Sequence, residues 1–182
     1  DLLGEVGAGG ALDLGDDGIQ TKGISSGVEF DLFGTGQNVR TGWVGSTDGL
    51  LAIDLNGDGK INGGSELFGS GSTLASGNKA SNGYDALAEY DSDGDGKITA
   101  NDAAFKDLRV WVDGNGNGVS DAGEVKTLQD LKITELSLEA TKAREQNNGN
   151  IIGLKSSYTT EDGATHAAAD VWFVADKPAA AV

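Results

Sequence analysis

The chain has no cysteine, no methionine, a single proline, and 13 lysines and arginines against 29 acids in 182 residues. Each shortage excludes something. Without cysteine there is no disulfide, no thiolate zinc site and no cysteine nucleophile. A formal net charge of −16 repels phosphate, so a nucleic-acid partner is excluded. No apolar run approaches the ~20 residues that carry a helix across a bilayer, so no membrane insertion is expected. The chain opens on Asp1 with no leader and reads as a domain cut from a larger protein, monomeric within it. Hydrophobic residues still make up 37% of the chain, enough for a core once the acids are neutralised.

The acids fall in runs interleaved with glycine and asparagine. Three segments fit D-x-[DN]-x-[DN]-G, the pattern of an EF-hand type calcium loop. Loop 1 begins Asp54-Leu-Asn56-Gly-Asp58-Gly59, loop 2 Asp91-Ser-Asp93-Gly-Asp95-Gly96, and loop 3 Asp113-Gly-Asn115-Gly-Asn117-Gly118. Calcium requires this spacing because it takes about 6–8 oxygens. Side chains at positions 1, 3 and 5 converge on the ion, glycine at position 6 permits the sharp turn, and position 7 adds a backbone carbonyl. Lys60, Lys97 and Val119 would supply those carbonyls. Asp102 and Glu124 stand at position 12 of loops 2 and 3, and Asp121 adds an acid to loop 3. Position 12 of loop 1 is Ser65, with Glu66 one residue late, so that loop should close differently. Valine at position 7 of loop 3 argues against a regular EF-hand pair. One such match can be a polar turn; three between residues 54 and 124 point to calcium, three ions or more. Asp13 and Asp17 belong to a decayed copy, Asp13-Leu-Gly-Asp-Asp17-Gly18, readable equally as a binding loop or a turn; Asp31–Gly36 reads as a turn.

Short β-like pieces occupy residues 27–32, 41–44 and 50–53. Helices are expected over 84–90, 100–107 and 122–131, and strands over 108–112, 133–138, 151–158 and 171–174. Residues 65–82, rich in glycine and serine, read as an exposed loop. The expected class is α+β, a small mixed sheet with short helices flanking the calcium loops. The expected organisation is a loose Gly-rich lead-in over 1–10, one domain over 11–176, and a tail or linker over 177–182.

Several irregular motifs keep their order along residues 11–175: Thr41-Gly-Trp43-Val-Gly, Asp48-Gly-Leu-Leu, loop 1, Glu66-Leu-Phe-Gly69, Asn82-Gly-Tyr84-Asp-Ala-Leu-Ala-Glu, and Ala103-Ala-Phe105-Lys-Asp-Leu-Arg-Val-Trp111. In these the chain resembles the self-processing modules of bacterial RTX proteins, which fold on calcium and cleave an Asp-Pro bond at their own N-terminal edge. Here that edge is Gly7-Ala-Gly-Gly10, and the only proline, Pro178, follows Lys177. No Asp-Pro bond exists, so this chain is expected not to act as an enzyme. It looks more like the related peptide-binding domains of giant RTX adhesins, which grip the C-terminal residues of partner proteins. The resemblance implies an extracellular module at a bacterial cell surface, with a partner's C-terminus on a host or neighbouring cell as ligand and a calcium ion available to meet its carboxylate. It also makes Asp48 and Glu66 candidates for the missing ligands of loop 1. Trp43, Tyr84 and Arg40 are candidates for peptide contact, while Trp111 and Trp172 read as core. The other readings are a self-processing module whose scissile bond lies elsewhere, and a calcium-rigidified spacer. Gly23-Ile-Ser25-Ser-Gly27 matches a hydrolase nucleophile elbow, but the strand-like residues after it and the lone His166 favour chance.

Overall fold

Thirteen strands and one six-residue helix account for nearly all the regular structure of this computed structural model, which describes residues 5–69 and 71–176. The strands are β1 (Glu5–Leu12), β2 (Thr21–Lys22), β3 (Val28–Phe30), β4 (Val39–Thr41), β5 (Trp43–Val44), β6 (Gly49–Ile53), β7 (Lys97–Thr99), β8 (Leu108–Trp111), β9 (Val125–Thr127), β10 (Ile133–Ser137), β11 (Thr141–Asn147), β12 (Asn150–Thr160) and β13 (Thr165–Ala175). The helix α1 spans Gly83–Ala88. The α+β expectation is therefore overturned: the fold is nearly all β.

The main sheet runs β7-β10-β12-β13-β1-β6-β8-β9, with β11 on β12 and the β3–β4 hairpin joined to β13; β2 and β5 form a separate pair. The pairings are antiparallel, not mixed. Side chains alternate across the strands, and both faces are covered. On one face Ala11, Leu50 and Trp111 join Phe30, Trp43 and Phe173. On the other, Leu12, Leu51 and Val110 join Phe68, Leu87, Ile98 and Leu136. Burial on both sides explains the near-continuous apolar runs of β6 and β8.

Two expected helices are absent for identifiable reasons. Residues 122–131 hold β-branched Val125 and Thr127, which pair as β9 with Trp111 and Arg109 of β8. The chain then turns at Leu128, whose carbonyl accepts from both Leu131 and Ile133. Residues 100–107 form turns and a short 3₁₀ segment, Phe105–Asp107, because β8 begins at once and leaves no length for a helix. The expected loose lead-in is strand β1 from Glu5, inserted between β13 and β6. Its glycines let neighbours close in: a Cβ on Gly9 would stand 3.3 Å from the Phe173 ring, and Gly10 N–H donates to the Phe68 carbonyl at 3.0 Å. The expected exposed loop over 65–82 carries buried Glu66, Leu67, Phe68, Ser72 and Ala80. The tail 177–182 lies outside the described residues.

Candidate metal centre and ligand cavity

The three loops share one closure. Asp54 Oδ2 accepts from Gly59 N–H at 2.7 Å, Asp91 Oδ2 from Gly96 at 2.9 Å, and Asp113 Oδ2 from Gly118 at 2.8 Å. Glycines 59, 96 and 118 all have positive φ, so the sixth position must be glycine for the chain to turn back. The other oxygen, Oδ1, also accepts from loop N–H groups: Asp54 from Gly57, Asp91 from Gly94 and Asp113 from Asn117.

Loop 2 is the most complete. Asp91, Asp93, Asp95 and Asp102 each bring one carboxylate oxygen within 4.8 Å of the others. Asp102 is 3% exposed and clamps the loop, Oδ1 accepting from Ser92 N–H at 2.8 Å and Oδ2 from Thr99 N–H at 2.9 Å. Desolvation works to raise its pKa, but the N–H groups of Thr99, Asp93 and Ser92 outweigh it and hold the carboxyl below its ordinary value. Asp93 is pushed up to about 6, by desolvation first and then by Asp91 and Asp95. Four converging carboxylates repel one another, and an all-oxygen set of this kind fits a hard cation.

In loop 1, Glu66 does what Asp102 does in loop 2: its carboxylate accepts from Leu55 and Asn62 N–H, both at 2.8 Å. The late acid thus closes the loop. Asp58 accepts from Lys60 N–H at 2.9 Å, and Asn56 donates to Asn62. In loop 3, Asn115 and Asn117 both donate to Asp121, lowering its pKa. Glu124 accepts from Asp121 N–H at 3.1 Å and from the Trp111 indole at 3.3 Å. Loops 1 and 3 meet through Ile61 N–H and the Ser120 hydroxyl at 2.9 Å, a side-chain link in place of the backbone pairing of two regular EF-hands. Val119, the position-7 carbonyl of loop 3, is 55% exposed, whereas Lys97 begins β7 and pairs with Glu135 at 3.5 Å.

Several candidates stand elsewhere than expected. Asp48 is fully buried and joins Asp13 and Asp17, not loop 1. Its pKa is raised to about 6 by burial, opposed by the Gln20 N–H and reinforced by Asp13 and Asp17. Trp43, a candidate for peptide contact, is 0% exposed in an aromatic cluster, 5.1 Å from Phe30 and 5.4 Å from Trp111 between ring centres. Its indole N–H donates to Asp113 Oδ2 at 2.8 Å. Arg40 donates to the carbonyls of Ile24 and Ser25, both at 2.9 Å, and so braces a surface turn. Trp172, expected in the core, is only half-buried and lies over Gly153. Ser25 is exposed in a 3₁₀ turn, and His166 pairs with Asp16 at 2.6 Å and stacks on Tyr158, so the hydrolase motif has no base.

Of the peptide candidates, Tyr84 lines a cavity. Half-buried on α1, it borders an apolar pocket with Leu12, Phe68, Leu87, Leu136 and Ser137. Burial raises its hydroxyl pKa, with the Asp170 charge adding. Asp170 is 0% exposed. It accepts from Gly83 N–H at 2.7 Å, and burial lifts its pKa to about 7. Sequence reasoning missed this acid because the expected strand, 171–174, begins just after it, whereas β13 extends back to Thr165. The pocket adjoins loop 2, since α1 leads into Asp91 and Leu136 and Ser137 pair with Ile98 and Lys97.

A family model described as the SPM domain matches residues 11–174. The iron-regulated protein FrpA of Neisseria meningitidis serogroup C is 49% identical over 171 residues, 91% of this chain. The chain spans 15% of that protein's length.

Proposed function

Because the chain belongs to the SPM domain family, we propose that it is a calcium-dependent peptide-binding module of a secreted RTX-type protein, taking the C-terminal residues of a partner protein. The observation that carries this reading is the adjacency of the four-acid loop 2 to the Tyr84 cavity, through α1 on one side and the β7–β10 pairing on the other. Asp91, Asp93, Asp95 and Asp102 hold Ca²⁺, with further ions in loops 1 and 3. A bound ion supplies local positive charge in a chain of net charge −16, which an anionic peptide terminus needs. The exposed Asp93 and Asp95 leave the solvent side of loop 2 open to a ligand carboxylate. The cavity beside it is apolar and small, about 20 Å³, with room for about one methyl-sized group.

Residues 1–182 contain no Asp-Pro bond, the single proline following lysine. The module works outside the cell, where calcium is abundant enough for modules that bind at about 10⁻⁴–10⁻³ M. The test is an array of peptides with free and amidated C-termini, probed in calcium and in EGTA. Binding that needs calcium and a free carboxylate is expected, and Tyr84→Ala should weaken it. Equal binding to amidated peptides would refute the reading. New fragments in the intact mass after calcium addition would favour a self-processing module instead.

A further inference from the structure

The stretch from Ala140 to Thr160, which forms the β11–β12 hairpin, carries Lys142, Arg144 and Lys155 against one acid, Glu145. In a chain of net charge −16 this is a positive island. Lys155 pairs with Glu145. Among the described residues the other ion pairs are Lys97–Glu135 and His166–Asp16, so neither Lys142 nor Arg144, both exposed, has an acid of its own.

An apolar surface lies beside these cations. Cross-strand partners point to the same side of a sheet. The register pairs Ile151 with Gln146 and Trp172, and Leu154 with Lys142 and Asp170. Asp170 and Trp172 stand two apart on β13, so all six residues share one face. The helix α1 covers that face at Asp170, which accepts from Gly83 N–H at 2.7 Å. Further along, Trp172 and Leu154 are only half-buried and Ile151 is 38% exposed. A Cβ on Gly153 would stand 2.6 Å from Trp172 Cζ3, so glycine at that position lets the indole lie across β12 toward β11. There β11 bulges, with Ala143 and Arg144 together opposite Gly153. The result is a half-covered indole with aliphatic neighbours and two unpaired cations at its edge, the make-up of an interaction site more than of a bare protein surface.

We propose that this face of β11, β12 and β13 docks an extended acidic segment of a partner protein, with an apolar side chain seated on Trp172 and Ile151 and flanking carboxylates on Lys142 and Arg144. Charge decides the occupant. A narrow acidic segment meets the positive island alone, whereas an anionic bilayer would face the wider surface of a chain of charge −16 and be repelled. The surface includes neither loop 2 nor the cavity beside Tyr84, and it holds whether or not a C-terminus is taken there.

The experiment measures fluorescence anisotropy of labelled peptides with the whole chain in saturating calcium. The probes are acetylated, amidated peptides with a central leucine, phenylalanine or glycine flanked by glutamates, and the same set flanked by lysines. Amidation removes the terminal carboxylate, so the outcome is separate from that of C-terminal recognition at loop 2. Glutamate-flanked peptides with an apolar centre should bind, more weakly as salt rises, and the lysine-flanked and glycine-centred ones should not. Trp172→Ala should weaken binding by about tenfold or more. Joint reversal by Lys142→Glu and Arg144→Glu, at two exposed positions, should remove the preference for acidic flanks and serves as the test should Trp172→Ala lose its near-ultraviolet circular dichroism. No binding by any glutamate-flanked peptide, or unchanged affinity in the folded variants, would overturn the proposal. Co-sedimentation with phosphatidylcholine–phosphatidylglycerol vesicles that is lost in the same variants would overturn it in favour of a membrane.

Discussion

Replacing Trp43 by phenylalanine tests how the acid-rich loops are anchored to the core. The indole is fully buried, with Phe30, Trp111 and Phe173 at 5.1, 5.4 and 5.9 Å between ring centres. Its N–H is one of two donors on Asp113 Oδ2, the other being Gly118 N–H, each at 2.8 Å. Phenylalanine keeps much of the packing and loses the donor. The smaller ring leaves a void worth about 1–2 kcal/mol, and a hydrogen bond to a charged acceptor is worth about 1.5–3 kcal/mol. Together the loss is about 2.5–5 kcal/mol. Urea unfolding in saturating calcium measures it, and a double-mutant cycle with Asp113→Asn isolates the bond. A coupling of about 1–3 kcal/mol is expected. The calcium affinity of loop 3 should fall in parallel, since Asp113 loses the contact that orients it. Strict additivity of the two substitutions, with unchanged calcium affinity, would refute the idea that the core positions this ligand.

Removing calcium with EGTA should expand the chain and collapse its near-ultraviolet circular dichroism, because the crowded carboxylates lose their counter-charge; an unchanged spectrum would contradict this. Asp102→Asn should weaken calcium binding at loop 2 by about tenfold or more and raise amide exchange at Ser92 and Thr99, whose N–H groups it holds. Asp170, raised to about 7 by burial, binds its proton more tightly folded than unfolded. Its stabilising contribution is complete below pH 4, declines as pH rises toward 7, and is gone above it. Asp170→Asn should therefore remove a fall in stability between about pH 4 and 7, read from urea midpoints in calcium.

The loops were legible because metal chemistry imposes a local spacing on consecutive residues, and Asp54, Asp91 and Asp113 each close on the glycine five residues on, as that spacing requires. The strands β6, β8 and β13 were legible from apolar runs. By contrast β1 was hidden, because its glycines carry no β signal and its position depends on Phe173 and Phe68 filling the space they vacate. The strand β11 was missed although Asn148-Gly149, both at positive φ, is a strong hairpin dipeptide. The helix expected over 122–131 failed because pairing with β8 outweighed a weak local preference.

By itself, then, the sequence determined the acid-rich loops and the net charge of −16, since these follow from residue type and short-range spacing. Only the tertiary structure decided that Asp48 meets Asp13 and Asp17, that Trp43 is an anchor for Asp113 and not a groove wall, and that loop 2 borders the Tyr84 cavity. These are contacts between residues far apart in the chain, set by strand register and by burial on both faces of one sheet.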